Sequence, residues 1–86
     1  MIYDWYKLFN LDEFNATGLT SQTKTVILEG RGQKEVSIFK GIGVSIMYDD
    51  VFLTMDLNDK NPFTFENKAV YVDGNNDIWL GIELEN

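Results

Sequence analysis

Apolar and polar residues alternate most regularly in residues 44–57. This alternation is typical of strands with one buried face, and a turn at Asp49 and Asp50 would fold the segment into a central hairpin. One face would then carry three apolar cross-strand pairs, namely Tyr48–Val51, Ile46–Leu53 and Val44–Met55. A slip of one residue would exchange the two faces, so the pattern fixes the register.

A hairpin is also predicted before the central one. Residues 24–28 and 35–40 are rich in β-branched side chains, which favour strands. Between them, the glycines of residues 30–32 supply a turn.

The last hairpin joins residues 69–72 to residues 78–84 through a loop at residues 73–77. This loop length pairs Val72 with Ile78 and Val70 with Leu80 on one face. On the other face, Tyr71 would meet Trp79 as an aromatic pair, and Ala69 would lie opposite Gly81.

The N-terminal residues 4–10 have a different pattern, which predicts a short helix. Asp4 is placed to cap it, and Trp5, Leu8 and Phe9 have the spacing of one helical face.

A second helical segment is predicted to begin after Asn10. Asn10 and Glu13 resemble a capping box, and Phe9 and Phe14 are placed for a hydrophobic staple across the helix start. Gly18 is suited to end the segment in a left-handed conformation.

Together these patterns predict a single α+β domain over residues 1–86. A helical segment at residues 1–18 would cover a six-stranded antiparallel meander at residues 21–84, built from three successive hairpins as an open sheet or a small barrel. Phe63 and Phe65 are expected to plug one end of the core.

The composition and the N-terminal residues bear on where the protein is expected to be found. The chain has 86 residues, 44% of them hydrophobic, and it has no cysteine. Its start lacks a basic signal sequence, and no stretch is long and apolar enough for a membrane span. A cytoplasmic protein is expected, or a virion-associated one if the chain is of phage origin.

The net charge of −7 lies in the second half of the chain, because residues 1–48 contain equal numbers of acids and bases. Such a balance disfavours direct binding to a nucleic-acid backbone. Four acids around the central hairpin form a candidate face for a basic partner, with a solvated turn as the alternative: Asp49, Asp50, Asp56 and Asp59.

Few residues suit catalysis. The chain has neither histidine nor cysteine, so no catalytic residue, metal ligand or cofactor site is predicted. Asp73, Asn75 and Asp77 alternate like the start of a calcium loop, but Ile78 and Leu84 replace its glycine and its closing glutamate. A plain hairpin loop is the favoured interpretation.

Four aromatic residues near the N-terminus suggest an interface: Tyr3, Trp5, Tyr6 and Phe9. Trp and Tyr are favoured anchors in subunit and partner interfaces. The alternative is that these side chains pack on the sheet as part of the core.

The chain also resembles the small accessory or morphogenesis proteins of bacterial prophages. The likeness lies in its short, acidic, cysteine-free sequence, with a helical start and a meander around two segments, Gly32-Gln33-Lys34-Glu35-Val36 and Asp59-Lys60-Asn61-Pro62-Phe63. The resemblance implies a role in virion assembly or host interaction and assigns no functional residue.

The resulting functional prediction is a non-catalytic interaction or assembly module that binds a protein partner or associates with itself. One alternative is an acidic inhibitor that imitates nucleic acid and occupies a basic groove. A second alternative is a small ligand-binding barrel.

Overall fold

The computed structural model describes residues 2–41, 43–49, 51–56 and 62–84. These residues form eight strands and one helix, in the order β1 (Tyr3–Asn10), α1 (Leu11–Thr17), β2 (Ser21–Leu28), β3 (Gly32–Lys40), β4 (Val44–Tyr48), β5 (Val51–Met55), β6 (Phe63–Phe65), β7 (Lys68–Val72) and β8 (Asp77–Glu83).

The strands form two antiparallel sheets of four strands each. The first sheet has the order β1-β8-β7-β6, and the second has the order β2-β3-β4-β5. The predicted α+β fold with one six-stranded meander is therefore wrong. The three predicted hairpins do form, but they divide between two sheets, and one sheet gains β1 and β6.

The predicted helix at residues 4–10 is replaced by β1, which pairs with β8 at the other end of the sequence. The register shifts between Lys7 and Phe9, so Leu8 is an extra residue in a β-bulge. Leu8 and Phe9 are consequently both buried. The bulge breaks the alternation of the strand, and this explains why Trp5, Leu8 and Phe9 imitate the spacing of a helix.

The second helical segment is confirmed as α1. The Asn10 side-chain oxygen accepts a hydrogen bond of 3.0 Å from the backbone N–H of Glu13, which caps the helix. Gly18 ends it with a φ of 72°, a left-handed conformation that glycine adopts without steric cost. Leu11 and Phe14 are the buried residues of this short helix.

The central hairpin has the predicted register, with Ile46 opposite Leu53 and Tyr48 opposite Val51. Asp49 occupies its turn with a positive φ of 51°, whereas Asp50 lies outside the described residues. The last hairpin is also confirmed, with Tyr71 opposite Trp79.

One core lies between the two sheets and receives side chains from both sheets and from α1. Its members from the first sheet and the helix are Leu8, Phe9, Leu11, Phe14, Val70, Ile78, Leu80 and Ile82. Its members from the second sheet are Leu28, Val36, Ile38, Val44, Ile46, Tyr48, Leu53 and Met55. Phe63 and Phe65 do not plug this core, because they are 38% and 49% exposed on the short edge strand β6.

The shared core predicts a strong contrast between two isoleucines. Ile46 is fully buried and Ile27 is 76% exposed. Replacing Ile46 with Ala should lower the free energy of unfolding by about 2–5 kcal/mol, because it removes buried apolar surface and leaves a cavity. Replacing Ile27 with Ala should cost less than about 1 kcal/mol. Urea unfolding measures both values. Equal losses of unfolding free energy in the two variants would contradict the placement of Ile46 in the core.

Candidate functional site

The outer face of the first sheet carries an unusual row of large and small side chains. Trp5 on β1 lies opposite Gly81 on β8, and Gly81 lies opposite Ala69 on β7. The neighbouring Leu80 and Val70 are in the core. Because side chains alternate between the faces of a strand, Trp5 and its row point away from the core.

Gly81 allows the Trp5 ring to approach the backbone of β8. A Cβ atom at position 81 would lie 2.9 Å from Cζ3 of Trp5, which is too close for two carbon atoms. Gly81 and Ala69 are themselves inaccessible, although they lie on the outer face. The missing side chain at Gly81 therefore provides the space that Trp5 occupies.

Beside this row, Trp79 and Tyr71 form the next cross-strand pair of the same face. Together with Trp5, Pro62 and Asp73, they line an open depression of about 450 Å³, here called the aromatic groove. This volume is within the range of small-molecule and side-chain pockets.

The rings of the aromatic groove are inclined to one another. The ring centroids of Trp5 and Tyr71 are 6.3 Å apart, with an angle of 65° between the ring planes. Tyr3 extends the group beyond Trp5, at a centroid distance of 5.4 Å and an angle of 53°. Rings inclined in this way do not form one flat platform.

Asp73 is the charged residue among those that line the groove. Its Oδ2 atom accepts a hydrogen bond of 2.9 Å from Nε1 of Trp79. Its Oδ1 atom accepts two more, each of 2.9 Å, from the backbone N–H groups of Asn75 and Asp77. One carboxylate thus orders the β7–β8 loop and fixes the orientation of Trp79.

These contacts favour the ionised form of Asp73. The hydrogen bond from Trp79, followed by that from the Asp77 backbone, holds the pKa of the Asp73 carboxyl below its ordinary value, and the charge of Lys7 adds to this effect. A negative charge is therefore kept at the edge of the groove.

Two further hydrogen bonds join the β7–β8 loop to residues outside it. Asn10 donates from Nδ2 to Oδ1 of Asp77 at 3.0 Å, and Asn76 donates to Oδ1 of Asp12 at 3.1 Å. These bonds connect the loop to the start of α1. Among the described residues, no group of three or more acids is placed to hold a metal ion.

The structure separates the four aromatic residues that the sequence placed in one interface. Tyr3 and Trp5 lie at the aromatic groove, and Trp5 is 40% exposed. Tyr6 packs against the core, and its hydroxyl donates to the Glu29 carbonyl at 3.0 Å. Phe9 is buried, with Nζ of Lys24 located 4.7 Å from its ring centroid.

The acids proposed as one partner-binding face are only partly described. Asp49 and Asp56 are exposed at the two ends of β5, while Asp50 and Asp59 lie outside the described residues. Two other acids of the second half, Glu83 and Asp77, are at opposite ends of the first sheet. The described negative charge is thus spread along the molecule.

Sequence reasoning missed Pro62 and Asp73 as parts of a site and did not join Trp5 to the Tyr71–Trp79 pair. A usable signal was present, because Ala69 and Gly81 were expected on the same face as Tyr71 and Trp79. A pair of small residues beside a pair of large ones indicates room for a third ring.

Comparison of the chain with known protein families, with curated proteins and with solved structures finds no match. Within the described ranges, no helix has the length and hydrophobicity needed to cross a membrane.

The lowered pKa of Asp73 predicts how the loop responds to acid. Since the folded state favours the carboxylate, its stabilising effect is present at neutral pH. This effect should begin to weaken as the pH falls below 3.8, the ordinary pKa of aspartate. It should be lost as the pH falls further, through the lower pKa of Asp73 in the folded state. NMR spectra should show the Trp79 indole N–H signal moving in this range.

Asp73→Asn should abolish that titration, while Asp49→Asn should preserve it. An indole signal of Trp79 that titrates unchanged in Asp73→Asn would contradict the assigned hydrogen bond.

Proposed function

We propose that this protein is a non-catalytic binding module that recognises a protein partner through the aromatic groove. The observation that carries the proposal is the placement of Trp5, Tyr71 and Trp79 on the outer face of an antiparallel sheet. Such sheets commonly have one apolar face toward the core and one polar face toward water. The core here is already filled from the inner faces, so it does not require these outward rings.

The types of residue in the groove support recognition of a protein surface. Trp and Tyr contribute most of the binding free energy in many interfaces, especially near their centres. Trp5 is 40% exposed, which leaves a large apolar ring available to a partner. The net charge of −7 disfavours a nucleic-acid backbone as the ligand.

The groove is also held in place before any partner arrives. Asp73 fixes the indole of Trp79 through a hydrogen bond of 2.9 Å. Gly81 leaves the space against β8 in which the Trp5 ring packs. A rigid binding surface loses less conformational entropy on association, so more of its contact free energy appears as affinity. The carboxylate of Asp73 already accepts three hydrogen bonds from its own loop and Trp79, which favours a binding role over proton transfer.

The proposal predicts which substitution disrupts binding. The full chain is used to capture proteins from an extract of the cells that encode it, and the affinity of a captured partner is then measured by calorimetry. Trp5→Ala should raise the Kd about 30-fold, because a central aromatic anchor contributes about 2 kcal/mol or more. Tyr71→Ala should act in the same direction.

Phe52→Ala is the matched control, because Phe52 is 55% exposed on the second sheet, opposite Met47. It should leave the Kd unchanged. Circular dichroism and cooperative unfolding establish that each variant is folded. A partner that binds folded Trp5→Ala and Tyr71→Ala at full strength would refute the proposal. A dimer that Trp5→Ala dissociates would place a second copy in the groove instead of another protein.

A further inference from the structure

We infer that the group bound in the aromatic groove is the guanidinium of an arginine in a basic segment of the partner. This inference rests on the proposed function and names the chemistry that the groove selects. It follows from the charge, the ring faces and the hydrogen-bonding capacity of the lining residues.

The ring faces favour a cation. The faces of Trp and Tyr are regions of negative potential, and a guanidinium or ammonium group above them is attracted. Trp5, Tyr71 and Trp79 provide such rings in one groove. Trp5 and Tyr71 are inclined at 65° in an edge-to-face arrangement, so the two rings present their faces in different directions.

The hydrogen-bonding capacity of the groove points the same way. The indole N–H of Trp79 is already donated to Oδ2 of Asp73, so this donor is not offered to an anionic ligand. An ionised carboxylate has room for about four hydrogen bonds. Asp73 accepts three from its own loop and Trp79, and one site on Oδ2 remains for a donor from a ligand.

The surrounding charges give a net attraction for cations. Asp77 and Glu83 lie on the same outer face at the two ends of β8, Asp77 two residues before Trp79 and Glu83 two residues after Gly81. Lys7 lies opposite Trp79 on β1 and opposes this attraction locally. At longer range, the net charge of −7 for the chain makes the electrostatic potential attractive to cations.

Arginine suits this arrangement better than lysine. Its planar guanidinium stacks on aromatic faces while its edge N–H groups remain free to reach a carboxylate. The lysine ammonium is compact and strongly hydrated, so it loses more solvation when it enters an apolar groove. A neutral sugar could contact the rings and donate a hydroxyl hydrogen bond to Asp73, but it carries no positive charge for the acidic chain to attract.

The test uses the full chain labelled with ¹⁵N, because its two tryptophans place both indole signals in the groove. Three short peptides with identical Gly and Ser flanks are titrated, with arginine, citrulline or lysine at the centre. Citrulline has nearly the shape of arginine without its charge. The arginine peptide should shift both indole signals, and the citrulline peptide should bind about 10-fold more weakly.

Two charge variants sharpen the result. Lys7→Gln should tighten binding of the arginine peptide about two-fold and leave the citrulline peptide unchanged, because it removes a like charge beside the groove. Lys40→Gln, which removes the same charge from the second sheet, should change neither affinity.

Several results would overturn the inference. Equal affinities for the arginine and citrulline peptides, with both indoles shifted, would refute the role of the cation and leave the binding module intact. No indole shift with the arginine peptide would also refute it. Failure of the proposed function would appear separately, as a protein partner retained by Trp5→Ala. If a linear glucose oligosaccharide shifts the indoles and the peptides do not, both proposals are wrong.

Discussion

The pairing of β1 with β8 is the constraint on which the rest of the structure depends. It joins the first strand of the chain to the last, from Tyr3 opposite Glu83 to Asn10 opposite Asp77. The same junction continues into α1, since the Leu11 N–H donates to the Asn76 carbonyl at 2.7 Å. Without this long-range pairing, the bulge at Leu8 would have no place in the core and Trp5 would have no contact with Gly81.

The pairing also separates two roles within the first sheet. Its inner face supplies Leu80 and Val70 to the shared core, which accounts for folding. Its outer face gathers Trp5, Trp79 and Tyr71 from three adjacent strands. Asp73 connects the roles, because one side chain orders the β7–β8 loop and fixes a wall of the groove. The rings of the outer face therefore lie apart from the packing of the core.

The sequence predicts the parts of this structure that depend on neighbouring residues. The alternation around Ile46 and Leu53, the loop before Ile78 and the cap at Asn10 each involve contacts between residues close in sequence, and each was predicted correctly. The assignment of strands to two sheets depends on β1 reaching β8, which no local pattern encodes. The bulge at Leu8 also interrupts the alternation of apolar and polar residues in β1, so the sequence pattern does not indicate a strand there. The residue type alone suggests Trp5 as an exposed anchor. Its neighbours Trp79 and Asp73 are distant in sequence, so no local pattern places them beside it.

The most direct measurement is the nuclear Overhauser effect between the ring protons of Trp5 and the α-protons of Gly81. The structure predicts strong effects, because the Trp5 ring lies close enough that a Cβ atom at Gly81 would be 2.9 Å from Cζ3. It also predicts that the Gly81 α-protons are shifted by the ring current of the indole. An absent effect, with unshifted α-protons and helical coupling constants at residues 4–10, would contradict both the β1–β8 pairing and the groove built on it.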